Sequence, residues 1–233
     1  MCSSDLKAKG YTRHKCSRCG DNYVDTYVNA LGHSFGSDGN AAKCSVCGAP
    51  NPNYDPSLDF KDVPANAPSA EAVAWAVANA VASGTSATTF SPNDGCTRGQ
   101  VVSFLWRAAG APEPDVTRNP FSDVKPGAYY YKPVMWAVEN HVTSGTSATT
   151  FSPNSVCTRA QIVTFLWNAK GMPTPTASSN PFKDVKSTDY FYNAVMWAVG
   201  KGVTAGTDST HFSPNVTCTR WQVVTFLFRD RTK

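Results

Sequence analysis

Apolar residues fall at helical spacing in two neighbouring segments of the chain, at about residues 130–140 and 159–169. The first segment predicts a helix whose apolar face begins with Val134, Ala137 and Val138. The second segment predicts a helix with apolar residues at i, i+3, i+4 and i+7, which are Ile162, Phe165, Leu166 and Ala169. A Gly/Ser/Thr-rich loop joins the two segments and ends in Phe-Ser-Pro-Asn. The local unit is therefore a helix, a polar loop and a second helix.

This unit occurs three times at a fixed period of 61 residues. The loop sequence SGTSATTFSPN of residues 83–93 recurs unchanged at 144–154, and it reappears as AGTDSTHFSPN from Ala205. Five kinds of residue keep the same spacing: Phe60, Phe121 and Phe182; Asp62, Asp123 and Asp184; Trp75, Trp136 and Trp197; Cys96, Cys157 and Cys218; and Arg98, Arg159 and Arg220. Three copies without insertion or deletion identify a tandem repeat.

The repeats are predicted to occupy residues 58–110, 119–171 and 180–231, with Pro-containing connectors at 111–118 and 172–179. A unit of about 50 residues is marginal as an independent fold, so the three repeats are expected to share one hydrophobic core. The predicted fold class is mainly α, built from three two-helix repeats.

Each predicted second helix begins with the capping box Thr-x-x-Gln, starting at Thr97, Thr158 and Thr219. The residue after each threonine is an arginine, and a cation at the first helical position opposes the helix dipole at a cost of about 0.3–1 kcal/mol. A helix N-terminus attracts anions through its free N–H groups, and a guanidinium beside it suits a carboxylate or phosphate. We therefore interpret Arg98, Arg159 and Arg220 as anion-binding residues. The alternative is an internal ion pair with Asp62, Asp123 or Asp184, or an exposed charge.

The repeated motifs resemble a tandem of three S-layer homology domains over about residues 58–231. They are Phe-x-Asp-Val, Gly-Thr-x-x-x-x-Phe-Ser-Pro-Asn and Thr-Arg-x-Gln. The resemblance implies an all-α module around a pseudo-threefold axis, with the first helices or helix pairs forming a shared bundle. It also implies non-covalent anchoring of an exported protein to the bacterial cell wall, through a secondary cell-wall polysaccharide that commonly carries a pyruvate ketal. In that family the motif arginine contacts the ligand in grooves between repeats, and it matches Arg98, Arg159 and Arg220.

Further candidate ligand-binding residues come from two other repeated positions. Tyr129 and Tyr190 occupy an aromatic position of the family, where the first copy has Pro68. They can stack on a sugar ring, although an aromatic residue at a helix start is more often part of the core. Asp62, Asp123 and Asp184 can accept sugar hydroxyls, but a cap or turn role is favoured. The repeated tryptophans Trp75, Trp136 and Trp197 are interpreted as core.

The residue two positions after each motif arginine departs from the family pattern. Gln100, Gln161 and Gln222 stand where the family usually has glutamate. The capping function is kept, but a negative charge beside the arginine is lost. This loss is expected to leave the guanidinium available to an external anion.

The cysteines fall into two groups. Paired Cys-x-x-Cys-Gly turns are typical of structural zinc sites, so the predicted metal ligands are Cys16, Cys19, Cys44 and Cys47, in a small zinc-ribbon-like β segment at 12–50. Oxidation to disulfides is the alternative in an exported protein, and His14 and His33 are spare ligands. With the run Ala-Leu-Gly-His-Ser-Phe at 30–35, this segment resembles short repeats of large surface proteins of anaerobic Gram-positive bacteria. Cys96, Cys157 and Cys218 are predicted to be buried and reduced.

Composition narrows the function further. A net charge of +4 with 16% charged residues is weak evidence for nucleic acid, and no apolar run approaches the ~20 residues of a spanning helix. No constellation of nucleophile, base and oxyanion donors is visible, so the chain is predicted to be non-enzymatic, with any catalysis in a lost upstream domain. The competing hypothesis is a zinc-ribbon module that binds protein or nucleic acid on a helical scaffold.

The start of the chain predicts a truncated protein. Residues 1–11 are expected to be disordered or artefactual, because residues 1–6 lack the features of a signal peptide and read like the translation of a sequencing adapter. Residues 51–57 are predicted to be a linker. We expect a C-terminal fragment of an exported protein, a monomer with pseudo-trimeric symmetry, at the cell wall or S-layer of a Gram-positive bacterium.

Overall fold

The computed structural model describes residues 10–15, 22–28, 60–115 and 118–232. The chain divides into two units, Met1–Leu58 and Asp59–Lys233. In the first unit, strands β1 (Gly10–Lys15) and β2 (Asn22–Val28) pair antiparallel, with a register irregularity between Thr12 and Arg13.

Strand β1 begins at Gly10, so Gly10 and Tyr11 belong to a strand although residues 1–11 were expected to be disordered or artefactual. His14 lies in β1 opposite Tyr23. The four predicted zinc ligands Cys16, Cys19, Cys44 and Cys47, with His33, lie outside the described residues. The zinc site and its disulfide alternative therefore stay predictions.

The described part of the second unit contains two helices in each repeat. The first repeat has α1 (Ala70–Ala78) and α2 (Arg98–Ala108), the second has α3 (Tyr131–Glu139) and α4 (Arg159–Ala169), and the third has α5 (Tyr192–Gly200) and α6 (Arg220–Thr232). The sequence pattern predicted both helices of the second repeat to within one residue at each end. No helix among the described residues is long and apolar enough to cross a membrane.

The capping boxes that the sequence predicts are complete in the first two repeats. Gln100 N donates to Thr97 Oγ1, while Thr97 N donates to Gln100 Oε1, and Thr158 with Gln161 repeats the pattern. The third box is only half formed, because Thr219 N donates to a glutamine oxygen at 3.0 Å but Thr219 Oγ1 has no hydrogen-bond partner among the described residues. Gly110 and Gly171 follow their helices with φ of 91° and 78°, as helix-ending glycines should.

The helices pack between repeats. Helix α2 packs against α3, α4 against α5, and α6 against α1, so each second helix lies on the first helix of the next repeat. The second helices α2, α4 and α6 also contact one another at the centre. The resemblance left open whether the first helices or helix pairs form the shared bundle, and in the structure the central contacts belong to the second helices. A single repeat is therefore not a self-contained unit.

The repeated cysteines lie on the pseudo-threefold axis. Cys96 N donates to Cys218 O at 3.0 Å, Cys157 N to Cys96 O at 2.9 Å and Cys218 N to Cys157 O at 2.9 Å, so three backbone hydrogen bonds close a ring. The predicted state is confirmed, because all three thiols are free and fully buried. Burial raises the pKa of Cys157 and Cys218 to about 12 and that of Cys96 higher still. The thiols are therefore packing groups rather than nucleophiles.

One hydrophobic core runs through all three repeats. In each repeat a fully buried phenylalanine at the end of the loop, Phe90, Phe151 or Phe212, packs against the phenylalanine that opens the repeat, with ring centroids 5.6–5.8 Å apart. The interpretation of the tryptophans as core is confirmed for Trp136 and Trp197, which are buried. Trp75 is partly buried and packs on Phe228 of α6, at the contact that closes the ring of repeats.

Candidate functional site

The motif arginines lie in the interfaces between repeats and are almost completely buried. Arg98, Arg159 and Arg220 are 4%, 3% and 4% exposed. Each Nε donates to the carbonyl of the loop phenylalanine in the next repeat, at 2.8–2.9 Å; the acceptors are Phe151, Phe212 and Phe90. Each guanidinium also lies over two aromatic rings of that repeat, with its Cζ 4.7–5.5 Å from the ring centroids. The arginines therefore join the repeats as well as being candidates for ligand binding.

The backbone N–H groups at the starts of the second helices are not free. Arg98 N donates to Ser155 O at 2.8 Å, and Gly99 N donates to Pro153 O at 2.9 Å; the other two interfaces repeat this pair of bonds. The expectation of open N–H groups for an anion is therefore wrong, because the neighbouring loop supplies carbonyl oxygens to them. A third carbonyl of that loop, Phe151 O, accepts from the Arg98 guanidinium, so folding accounts for an arginine at this position.

The repeated aspartates organise the loop that the arginine contacts. Asp62 accepts hydrogen bonds from Phe90 N at 2.8 Å and from Ser91 N at 2.7 Å, and Asp123 and Asp184 make the equivalent bonds. The aspartates thus have the favoured structural role, but they hold a distant loop of the repeat rather than cap the helix that follows them. Among the described residues, no ion pair within 4 Å joins these aspartates to the motif arginines, so the ion-pair alternative is not formed.

The carboxyl of Asp123 shows the electrostatic result of this arrangement. Desolvation alone would raise its pKa, but the hydrogen bonds from Phe151, Ser152 and its own backbone, together with nearby Arg98, lower the pKa below the usual value. The carboxylate is therefore charged at neutral pH and holds the loop in place.

The tyrosines of the candidate site are surface residues. Tyr129 is 58% and Tyr190 is 68% exposed, so the expectation that they more often belong to the core does not apply to them. Each ring packs edge-on against the following aromatic residue, Tyr130 or Phe191, with centroids 5.0 Å apart. Partial burial raises the pKa of both phenols, so they are neutral donors and acceptors at neutral pH.

The outer nitrogens distinguish the three arginines. Arg220 Nη2 donates to the carbonyl of Ser83 at 2.9 Å, and Arg98 Nη2 reaches Thr143 Oγ1 only at 3.5 Å. The Nη2 of Arg159 is buried and has no hydrogen-bond partner among the described residues. Since a buried charged donor without a partner is costly, the Arg159 site is the one that a ligand would stabilise most.

Arg159 lines a cavity of about 270 Å³, which we call the arginine cavity. The other lining residues belong to the third repeat, and they include a second arginine and three threonines: Thr204, Gly206, Thr207, Trp221, Gln222, Thr225, Phe226 and Arg229. Among the residues that the structure describes, no acidic side chain lines this cavity. Burial lowers the pKa of Arg159, although the neighbouring Cys218 and Asp184 oppose the shift, and an arginine stays charged at neutral pH.

Sequence reasoning missed Arg229 and Trp221. Arg229 stands where the second repeat has Asn168, and Trp221 stands where the other repeats have Gly99 and Ala160. The signal for Trp221 was a departure of the third copy from the other two, whereas Arg229 departs from the second copy alone, because the first copy has Arg107 at that position. Matching positions identified the common framework, whereas these two residues make one cavity unlike the others.

Three helix pairs that close a ring, with a buried arginine at each interface, define a tandem-repeat helical module. The chain matches the S-layer homology domain family at residues 59–102, 120–163 and 181–223, which is more than half of its length, and it belongs to that family. Such domains anchor proteins to the cell wall by binding cell-wall polymers, are not themselves catalytic, and indicate a location at the cell surface.

Similar proteins match this chain over short parts of much longer chains. The chain is 36% identical over 110 residues to an endoglucanase of Bacillus sp. (strain KSM-635) and 33% identical over 104 residues to the surface-layer 125 kDa protein of Lysinibacillus sphaericus. It is 29% identical over 110 residues to the amylopullulanase of Thermoanaerobacterium thermosulfurigenes. The aligned parts cover 43–47% of this chain but only 6–11% of those proteins.

Proposed function

We propose that the three repeats anchor an exported protein by binding an anionic, pyruvylated secondary cell-wall polysaccharide, and that the arginine cavity is its principal anion site. One observation carries the proposal: Arg159 is 97% buried, with an unpartnered Nη2, in a cavity that also contains Arg229 and lacks acidic side chains. The proposed location is the wall or S-layer of a Gram-positive bacterium.

The chemistry of the cavity suits the carboxylate of a pyruvate ketal. A guanidinium presents parallel N–H donors to a planar carboxylate, and the attraction between them strengthens where water is excluded. Thr225 lies in α6 and Thr204 lies in the loop that follows α5. Both residues line the cavity, and their hydroxyls can hydrogen-bond the sugar. The guanidinium fork matches a phosphate as well as a carboxylate, so the choice of a ketal carboxylate rests on the family resemblance, which implies a pyruvylated polysaccharide.

The other two interfaces retain weaker forms of the site. Arg98 and Arg220 have the same position as Arg159, but their outer nitrogens already reach Thr143 and Ser83. The exposed rings of Tyr129 and Tyr190 offer sugar-stacking surfaces near these interfaces. Several modest sites on one module add avidity for a polymer with many chain ends.

The charge of Arg229 provides the sharpest test, because the second repeat supplies a natural replacement. Asn168 holds the equivalent position and donates to Val142 O at 3.0 Å, as Arg229 Nη1 donates to Val203 O at 3.4 Å. The variant Arg229→Asn should fold normally and bind purified pyruvylated wall polysaccharide about tenfold more weakly in calorimetry, since one charged hydrogen-bond donor is lost.

Arg107→Asn is the matched control. It changes the same residue type at the same position of the first repeat, outside the arginine cavity. Its affinity should stay within about twofold of the wild-type value. Equal weakening by both variants, or no weakening by Arg229→Asn, would contradict the assignment of this cavity.

A further inference from the structure

The three interfaces between repeats differ at one pair of facing positions. The second residue of α2 lies against the residue that precedes α3, and the residues at these two positions differ in the other interfaces. The residue pairs at these positions are Gly99 with Tyr130, Ala160 with Phe191, and Trp221 with Ser69. A Cβ on Gly99 would meet Tyr130 Cδ1 at 3.0 Å, so the tyrosine ring covers the glycine. In the interface between the third and first repeats, the large residue of the pair is Trp221 of the second helix. Pro68 stands there in place of Tyr129.

This exchange leaves a hollow where the third repeat meets the first. Trp221 and Ser69 line a cavity of about 330 Å³, which we call the closing cavity, together with Asp62, Pro64, Ala67, Pro68, Pro92 and Asn93. Trp221 is only partly buried there, whereas Gly99 and Ala160 are buried. The volume lies at the lower end of the about 300–1,000 Å³ of typical ligand sites, which suits one sugar ring.

We propose that the closing cavity binds a neutral pyranose residue, stacked on the indole of Trp221, next to the acidic sugar in the arginine cavity. The inference rests on the proposed function, which it extends from one residue of the glycan to two. Trp221 lines both cavities, so a ligand held by Arg159 and Arg229 can continue past this side chain. An indole beside a proline-lined wall offers the flat apolar surface that a sugar ring needs.

The polar groups of the closing cavity favour a neutral occupant. The carboxylate oxygens of Asp62 each accept one backbone N–H, at 2.8 and 2.7 Å, and each keeps a lone pair for a sugar hydroxyl. The exposed amide of Asn93 can donate to and accept from a second hydroxyl. No cationic side chain lines the cavity, and Asp62 repels a second acidic residue. The arginine cavity thus binds the acidic end residue of the glycan, and the closing cavity binds its neutral neighbour.

Calorimetry with two fragments of the wall polysaccharide tests this division. The fragments are the pyruvylated end residue alone and the same residue with its neighbour attached. For the whole chain we expect the longer fragment to bind about tenfold more tightly. In Trp221→Ala, which places there the residue that the second repeat has, this ratio should fall to within about twofold. Trp221→Phe should preserve most of it.

The double variant Ser69→Tyr with Trp221→Gly is the structural control, because it rebuilds the Gly99–Tyr130 pair of the first interface. Thermal unfolding should stay cooperative in this variant, while the tenfold ratio disappears. A ratio that persists in both Trp221→Ala and the double variant would overturn the inference. Equal binding of both fragments by the wild-type chain would also overturn the inference, but the proposed function would still hold. Failure of the wild-type chain to bind either fragment would overturn the proposed function and this inference together.

Discussion

A single arginine position illustrates how folding and binding share one side chain. The sequence predicted that Arg98, Arg159 and Arg220 stand where helix formation alone disfavours them, and it assigned them to an anion. The structure gives each one a backbone carbonyl and two aromatic rings of the next repeat. Single-residue reasoning failed here because the compensating groups are 53 or 130 residues away in the sequence. Only the free Nη2 of Arg159 sets one copy apart.

Replacement of Asp123 by asparagine should destabilise the repeats and remove part of their acid sensitivity. An amide can accept only one of the two N–H bonds from Phe151 and Ser152, so the free energy of unfolding at pH 7 should fall by about 1–3 kcal/mol. Because folding lowers the pKa of Asp123, its stabilisation is present above the unfolded pKa of about 3.9 and is lost as the pH falls through the lower folded value.

Thermal unfolding between pH 2 and pH 7 measures both effects. The wild-type chain should lose stability below about pH 4 more steeply than Asp123→Asn does. Glu71→Gln, an exposed carboxyl in the first turn of α1, should cost less than about 1 kcal/mol at pH 7. Parallel pH profiles for the wild type and Asp123→Asn would show that the loop does not depend on this charge.

At the scale of elements, the sequence predicted where α3 and α4 begin and end, but it did not predict which helices pack against each other. Apolar spacing and the Thr-x-x-Gln boxes located α3 and α4 closely, because both signals are local. The contact of each second helix with the first helix of the next repeat leaves no local signature, and all three interfaces share the same apolar faces. The closing cavity was equally hidden, since it depends on which small residue faces which large one.

The cysteine-rich element carries the predicted metal ligands Cys16, Cys19, Cys44 and Cys47, and we propose that they bind structural zinc. Its described part is the antiparallel pair β1 and β2, and residues 16–21 connect these strands. Protein purified without oxygen should contain about one zinc per chain, and Cys16→Ser with Cys19→Ser should remove it. Elemental analysis with mass spectrometry distinguishes the two chemistries, since two disulfides and no metal would contradict the proposal.

The whole module depends on ring closure. Each repeat supplies a second helix to one neighbour and a first helix to the other, and the cysteine ring on the axis needs all three copies. Stability is thus not a sum of independent repeats, and the three interfaces need not be equal in function. The asymmetry lies in the unpartnered Nη2 of Arg159 among the described residues and in Trp221, which stands where the other repeats have Gly99 and Ala160.

Removal of the third repeat should therefore destroy cooperative folding. In a fragment of residues 58–171, α1 loses α6 and α4 loses α5, so most of the buried face of both helices meets water. Circular dichroism should show reduced helix content and no sharp thermal transition. A circular permutant that begins at the second repeat and keeps all three interfaces is the control, and it should unfold cooperatively. A two-repeat fragment with wild-type cooperativity would refute the closed-ring account.

The central claim is that this module holds an anionic wall polymer through a carboxylate. Co-sedimentation of the whole chain with purified cell walls, before and after mild-acid removal of ketal pyruvate, tests it most directly. The account predicts that the chain sediments with intact walls and stays in the supernatant once the pyruvate has been removed. Equal sedimentation with both preparations would contradict it.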